Sequence, residues 1–274
     1  MTTRRYATTA AVQTLVEQVD DRDLAVLQRV SSLRFVSGEQ LQRMHFGGHD
    51  AAQARAARRG LLRLVRLGAL VRLSRRVGGV RAGSAGFVYR LSPVGLRLAE
   101  DQGWQPVRTR RRSDVPGTLF VTHALLVSEL HTRLVEHDRA GSIELVRLVA
   151  EPGCWRSYSG NGHQAVLKPD SYLELGSGEY LDSYFIEVDR GTEGSSALAR
   201  KTGDYLAYKA SGVEQRRHGV FPRVLLLVLD EARAGAVWGV IRRLPEGARR
   251  LFAVALFEDV LTTLQTSENN QKTT

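Results

Sequence analysis

Asp170, Glu187 and Asp189 fall within one stretch, AVLKPDSYLELGSGEYLDSYFIEVDRGTE (165–193). Carboxylates placed close together repel, and each resists ionisation unless a cation neutralises the group. Oxygen ligands of this kind suit Mg²⁺ or Mn²⁺, and Mg²⁺ uses only one or two carboxylates alongside water and substrate phosphate. Such an ion can activate a water and stabilise charge developing on a phosphodiester. A nearby lysine places the nucleophile or offsets the oxyanion, and Lys201 follows the acidic stretch.

The elements that must position these groups are a ribbon and a helix. AVLKPDSYLEL and EYLDSYFIEVD read as two strands joined by a GSG turn. A turn at Ser177–Gly178 sets Leu175 opposite Tyr180 and Asp170 opposite Phe185. Glu187 is then the diagonal neighbour of Asp170 on the same face, about 7–8 Å away. Glu187 and Asp189, two residues apart, share that face, so three carboxylates are expected to converge. SSALARKTGDYLAYKASG reads as the following helix, where Lys201, Tyr205 and Lys209 recur at steps of four on one side.

Around them lies an alternation of further elements. GTLFVTHALLVSELHTRLVEHDRAG has the periodicity of a long amphipathic helix, and IELVRLVAEP reads as a strand before an irregular GCWRSYSGNGHQ. After the lysine-bearing helix come a strongly apolar strand, FPRVLLLVLD, a helix, EARAGAVWGVIRRL, and a last strand, RRLFAVALFED. That order predicts an α/β domain with a mixed sheet over 118–264. The tail 265–274 carries no apolar pattern and is expected to be disordered.

The front of the chain has a different character. Residues 1–115 hold 21 arginines against 9 acids, whereas the rest is slightly acidic, so the net charge of +10 is concentrated at one end. Segregation of this kind is what a segment that meets a polyanion requires. Asp20 or Asp21 can cap a first helix, Ser37 and Gln40 stand in capping-box positions for a second, and Asp50 can cap a third. On the third, Arg55, Arg59, Arg63 and Arg66 form a stripe with Arg58 beside it. Two β-like runs follow, joined by a tip carrying Arg75, Arg76 and Arg81. Three helices and a hairpin in this order match a winged helix-turn-helix spanning 1–107, which places its last helix in the major groove of double-stranded DNA. QPVRTRRRSDVPG supplies a basic linker at 108–117, with Arg108, Arg110, Arg111 and Arg112.

Other classes are disfavoured. No apolar run reaches the length of about 18 residues that a membrane span needs, and the N-terminus lacks a signal peptide's apolar centre. Cys154 is the single cysteine, which excludes a disulfide framework and a cysteine zinc cluster. A cytoplasmic protein is expected.

The Pro169-Asp170 … Glu187-Val188-Asp189 pattern resembles the PD-(D/E)xK core of restriction-endonuclease-like nucleases. The longer set, with His123, Glu151, KPD, EVDRGTE, Lys201 and Tyr205, resembles the replication-relaxation family of mobile elements, related to MobC-type plasmid relaxases. The resemblance implies an α+β or α/β protein, a winged helix followed by a nuclease-like mixed-sheet domain. It further implies site-specific DNA binding and Mg²⁺- or Mn²⁺-dependent nicking in plasmid replication or conjugative transfer. Asp170 and Glu187 would hold the metal. Aspartate at 189 departs from the lysine of the nuclease core, and Lys201 would replace that cation from the next helix. His123, Glu129, Glu151 and Tyr205 are candidate helpers. A homodimer or association with other replication or transfer proteins is compatible with the long helix.

Structural readings compete at each position. Asp189-Arg190-Gly191 can be a turn signal, His123 a satisfied core histidine, Glu129 and Glu151 surface charges, and Lys201 with Tyr205 a helix-surface pair. On those readings the chain is a non-catalytic DNA-binding regulator on a degenerate nuclease scaffold, or an accessory to another relaxase.

Overall fold

The computed structural model describes residues 7–47, 50–73, 86–104, 117–160 and 163–271. The chain is an α+β protein that divides into two compact units, Met1–Glu136 and His137–Thr274.

In the first unit, helices α1 (Thr9–Val16) and α2 (Asp21–Leu33) precede a short strand β1 (Val36–Ser37). Helices α3 (Gly38–His45) and α4 (Ala51–Arg66), strands β2 (Leu70–Arg72) and β3 (Val88–Leu91), and helix α5 (Pro93–Asp101) follow. Helix α6 (Thr118–Arg139) completes it. The helix starts are set by capping, which satisfies backbone N–H groups that have no intrahelical partner. Asp20 and Asp23 form a reciprocal capping box on α2, Ser37 and Gln40 do so on α3, and Asp50 caps α4 through the Gln53 N–H. The strands form an antiparallel sheet in the order β1-β3-β2. Gly95 lets α5 approach closely, because a Cβ there would stand 2.3 Å from the Ala69 carbonyl oxygen.

Helix α6, expected to open the second domain, packs into the first unit through residue 136. Ser128 Oγ donates to the Phe35 carbonyl at 2.7 Å, and Gln40 Nε2 donates to the Leu125 carbonyl at 3.0 Å. Arg43 binds both Glu129 and Glu136. His131 is buried in this helix; burial and the neighbouring charge of Arg29 push it down to about 3, so it is a neutral core histidine.

The second unit is built on a five-stranded mixed sheet. Strand β4 (Glu144–Ala150) leads to a separate hairpin, β5 (Arg156–Gly160) with β6 (His163–Leu167). Strands β7 (Ser171–Ser177) and β8 (Tyr180–Asp189), helices α7 (Ser195–Ser211) and α8 (Val213–His218), and strand β9 (Arg223–Val228) come next. Helices α9 (Glu231–Ile241) and α10 (Glu246–Arg249), strand β10 (Phe252–Leu256) and helix α11 (Val260–Gln271) complete the unit. The sheet order is β10-β9-β8-β7-β4, with β10, β9 and β8 parallel and β7 antiparallel to both of its neighbours, β8 and β4. Phe185, Tyr205, Tyr208, Val237, Ile241 and Phe252 are buried together in the core where α7 and α9 cover β8, β9 and β10.

Three expectations need correction here. AVLKPDSYLEL is not one strand: it breaks at Lys168–Asp170, its first part pairing with the supposedly irregular segment to form the β5–β6 hairpin. Pro169 explains the break, since it cannot donate a ladder hydrogen bond and it restricts the residue before it. The β7–β8 turn falls at Gly178–Glu179, with Ser177 opposite Tyr180 and Tyr172 opposite Phe185. Gly178, at φ 63°, supplies the positive φ that a tight hairpin turn requires. The register therefore lies two residues from the expected one, and a shift of two leaves every side chain on its expected face. Finally, α11 continues to Gln271 through most of the stretch expected to be disordered.

Candidate functional site

Asp170 ends the Lys168–Asp170 break and starts the paired region of β7. Its N–H donates to the Ile186 carbonyl at 3.1 Å, its carbonyl accepts the Glu151 N–H at 3.0 Å, and its Oδ2 accepts the Val188 N–H at 2.7 Å. The side chain is thus locked to β8 one residue beyond Glu187. Glu187 lies near the carboxyl end of β8, 3% exposed, and turns towards α7. Tyr205 OH donates to Glu187 Oε1 at 2.5 Å, and Lys201 Nζ donates to Oε2 at 2.9 Å. Lys201 also reaches Glu193 at 3.3 Å. Residues 201 and 205 act together because four residues bring side chains to neighbouring positions on a helix.

Burial, then the negative charge of Asp170, pushes the Glu187 carboxyl up to about 7, against the pull of Lys201 and Tyr205. Burial works against the Lys201 ammonium, but Glu187, Glu193 and Asp170 outweigh it and hold the group above its ordinary range. Tyr205 is raised well above the usual phenol by burial and by Glu187. A phenol that is fully buried, protonated and already donating to a carboxylate is a poor nucleophile, and its role here is to orient Glu187.

Asp189 does not join this group. Its Oδ2 accepts from Arg233 Nη2 at 2.7 Å and Nε at 3.0 Å, and its Oδ1 accepts the Gly191 N–H at 2.7 Å. The expected convergence of three carboxylates is therefore replaced by a pair, Asp170 and Glu187, plus a separate ion pair. The physical reason is that Arg233, in the first turn of α9, offers Asp189 two charge-assisted donors, while the Asp-Arg-Gly turn uses its other oxygen. Among the described residues, no three Asp, Glu, His or Cys side chains are grouped so as to hold a metal ion.

The other candidates are placed as follows. Glu151 meets Asp170 through its backbone. His123 and Glu129 lie on α6 in the first unit, where Glu129 is engaged by Gln40, Arg43 and Arg133. Cys154, absent from the sequence-derived set, is buried against the break and its Sγ donates to the Pro169 carbonyl at 3.0 Å; burial pushes the thiol up. Arg233 carries no comparable signal in sequence, because nothing in its local pattern distinguishes it from other helix-surface arginines. The same holds for the fully buried Glu214, which binds Arg156 at 3.2 Å and accepts from Tyr208 OH.

In the first unit, α4 presents Arg55, Arg58, Arg59 and Arg66 on its exposed side, while Ala57, Leu61 and Leu64 are buried. Arg63 departs from the expected stripe. It turns back to Asp23 and to the Gln18 carbonyl, the latter at 2.7 Å, and so ties α4 to α2. Arg72 stands over the Phe87 ring, 3.9 Å from its centroid. Arg75, Arg76 and Arg81, with the linker residues Arg108, Arg110, Arg111 and Arg112, lie outside the described residues.

The metal expected from the sequence can be tested against the donor set. Asp170 and Glu187 carry two carboxylates against one ammonium, with Glu193 adding further negative charge at Lys201. Such a site has charge to offer a divalent cation, and two carboxylates satisfy the protein's share of a Mg²⁺ shell. Among the described residues, no helix is long and apolar enough to cross a membrane.

A family model described as replication-relaxation matches residues 27–224. The match takes in α4, the Asp170 break, β8 and the Lys201–Tyr205 face of α7, and it ends before Arg233. Neither a curated protein nor a solved structure matches the chain.

Proposed function

Because the chain belongs to the replication-relaxation family, we propose that it binds double-stranded DNA of a plasmid or mobile element and nicks it during replication or transfer. In this reading the first unit is a winged helix, whose order of elements and β1-β3-β2 sheet suit α4 to the major groove. Arg55, Arg58 and Arg59, towards the N-terminal half of α4, are placed to reach base edges, and Arg66 to reach phosphate. The second unit is a restriction-endonuclease-like domain, with its site at the carboxyl end of β8.

The observation that carries the catalytic reading is the Lys201–Glu187 contact of 2.9 Å beside Asp170. It assembles two carboxylates and a lysine from three elements, although position 189 lacks the lysine of the nuclease core. Asp170 and Glu187 would hold Mg²⁺ or Mn²⁺, which when bound supplies charge neutralisation at the phosphodiester and a more acidic water. Tyr205 fixes the orientation of Glu187. Lys201 holds a positive charge where negative charge develops on phosphate oxygens. Burial and the charge of Asp170 push Glu187 up to about 7, and a divalent cation held by both carboxylates would offset these effects and keep Glu187 ionised.

A second reading has its own support. Both oxygens of Glu187 already accept hydrogen bonds and Asp189 is held by Arg233, an arrangement that also suits a retired site in a DNA-binding regulator. The deciding experiment uses supercoiled plasmid carrying the element's own origin, with Mg²⁺, Mn²⁺ or EDTA. Conversion to open circles by the wild type with metal, lost in Asp170→Asn and Glu187→Gln, supports nicking. DNA binding without conversion, or conversion that survives both changes, rejects it.

A further inference from the structure

The sheet of the second unit ends on one side in β4 and on the other in β10, and the two edges are built differently. An open strand edge offers N–H and C=O groups to any other strand, and chains guard against this with bulges and charge. At β4 the register slips between Leu145 and Arg147, and Glu144 and Arg147 are exposed. β10 reads FAVAL, without charge, proline or glycine, and its register with β9 is unbroken from Phe252 to Leu256. Ala253, Val254 and Leu256 remain partly exposed. The helix that follows, α11, leads away from this edge: Gln265 Nε2 donates at 3.1 Å to the carbonyl of Ser142, just before β4.

The direction of the β10 amides follows from the ladder. Val224 N–H donates to the Leu251 carbonyl at 2.9 Å, and Val224 is level with Phe252. In a parallel pair this pattern turns the N–H and C=O of alternate residues towards the neighbour. Leu251, Ala253 and Ala255 therefore face β9, whereas Phe252, Val254 and Leu256 direct theirs outwards. Among the described residues β10 pairs with no strand on that side. The Leu256 carbonyl opens the 3₁₀ turn Phe257–Asp259, which leaves the Val254 N–H and C=O, the Leu256 N–H and the Phe252 C=O as the groups a further strand would meet.

Charge beyond the two ends of β10 selects the partner. Arg249 and Arg250 precede the strand, Glu258 and Asp259 follow it, and all four are exposed. The contact of Arg250 with Glu246, 3.7 Å between two side chains more than four-fifths exposed, is weak and exchangeable. We propose that a second copy of this chain pairs antiparallel with β10 about a two-fold axis at Val254. In that register the two Val254 residues exchange N–H···O bonds, and each Leu256 N–H donates to the partner's Phe252 carbonyl. Arg250 then comes to the same end as the partner's Glu258, and Arg249 to that of the partner's Asp259. The two-fold repeats each pairing, as a self-complementary interface requires. A parallel copy would instead set Arg250 beside Arg250. A strand of another protein would need the same order of charges, which a second copy has by symmetry. The inference is independent of the Asp170–Glu187 reading.

The test is sedimentation equilibrium of the full chain, without DNA, over a range of concentrations. Wild type is expected to pass from the 30.4 kDa chain to twice that mass as concentration rises. Val254→Pro removes an amide hydrogen that faces away from β9, so the ladder within the chain is kept. It is expected to weaken association about tenfold or more through the bonds lost from both copies. Arg250→Glu and Glu258→Arg should each weaken it about tenfold by setting like charges opposite one another twice. The double variant, which exchanges the two charges, should associate as wild type does. Hydrogen exchange supplies a second readout: the Val254 and Leu256 amides should slow with concentration in wild type and not in Arg250→Glu. Should Val254→Pro fail to fold by circular dichroism, the charge exchange and the amide rates still decide the matter. A wild-type chain that stays monomeric, a dimer that survives in folded Val254→Pro, or a double variant that associates no better than the single ones overturns the proposal.

Discussion

Lys201 Nζ stands 2.9 Å from Glu187 Oε2, so the helix that follows β8 delivers a cation to a strand that has none of its own at position 189. The contact is three-quarters buried on the lysine side and almost wholly on the glutamate side. Pairs of this kind are costly to break from one side, because the remaining charge is left without compensation.

Lys201→Met is accordingly expected to destabilise the chain by about 3 kcal/mol at pH 8, and by less at pH 5, where Glu187 can take a proton. Urea denaturation at the two pH values checks this. Equal losses at both would mean that the ammonium serves something other than the Glu187 charge.

Glu187 itself should leave a signature in the pH dependence of stability. Its folded value, about 7, lies above the ordinary 4.5. Between those values the folded chain keeps a proton that the unfolded chain releases. The contribution is fully present below pH 4.5 and is lost as pH rises through 7. Its size is about 3 kcal/mol. In Glu187→Gln the difference between pH 4.5 and 8 is expected to shrink by that amount in denaturant titrations. Parallel wild-type and variant profiles would show that Glu187 titrates in its usual range.

Asp189→Asn should act on stability rather than on metal affinity. Arg233 would be left largely buried beside a neutral amide, at a cost of about 3 kcal/mol, whereas stabilisation by Mg²⁺ should persist. Thermal unfolding with and without Mg²⁺ measures both quantities. An Asp189→Asn chain of wild-type stability that has lost the Mg²⁺ response would return Asp189 to the ligand set.

The α4 arginines should separate into two kinds. Arg59→Ala is expected to weaken binding to the cognate DNA by about 1–3 kcal/mol and to relax sequence preference, while leaving stability within about 0.5 kcal/mol. Arg63→Ala should leave the salt slope unchanged and cost about 1 kcal/mol of stability, a modest value because the arginine is only partly buried against Asp23. The reverse assignment would mean that Arg63 leaves Asp23 for DNA.

Much of the fold was legible because local chemistry states it. Asp20, Ser37 and Asp50 mark helix starts by bonding to nearby N–H groups, and such caps depend on residues within one turn. That Glu187 and Asp189 share a face also followed from sequence, since alternation along β8 holds whatever its register with β7. The helical step of four sets Lys201 and Tyr205 side by side, and both reach Glu187 in the fold.

What sequence left open was the partner of each group across large separations. Whether Asp189 meets a metal or Arg233 depends on where α9 docks, 44 residues later. Whether Arg63 faces solvent or Asp23 depends on how α4 lies against α2, and the long helix read with the second domain proved to be held by Arg43 and Phe35 of the first. Sequence thus determined which residues carry charge and which face they share with their near neighbours, because those follow from backbone periodicity. Only the tertiary structure decided which charges neutralise one another, because that is settled by packing between elements far apart in the chain.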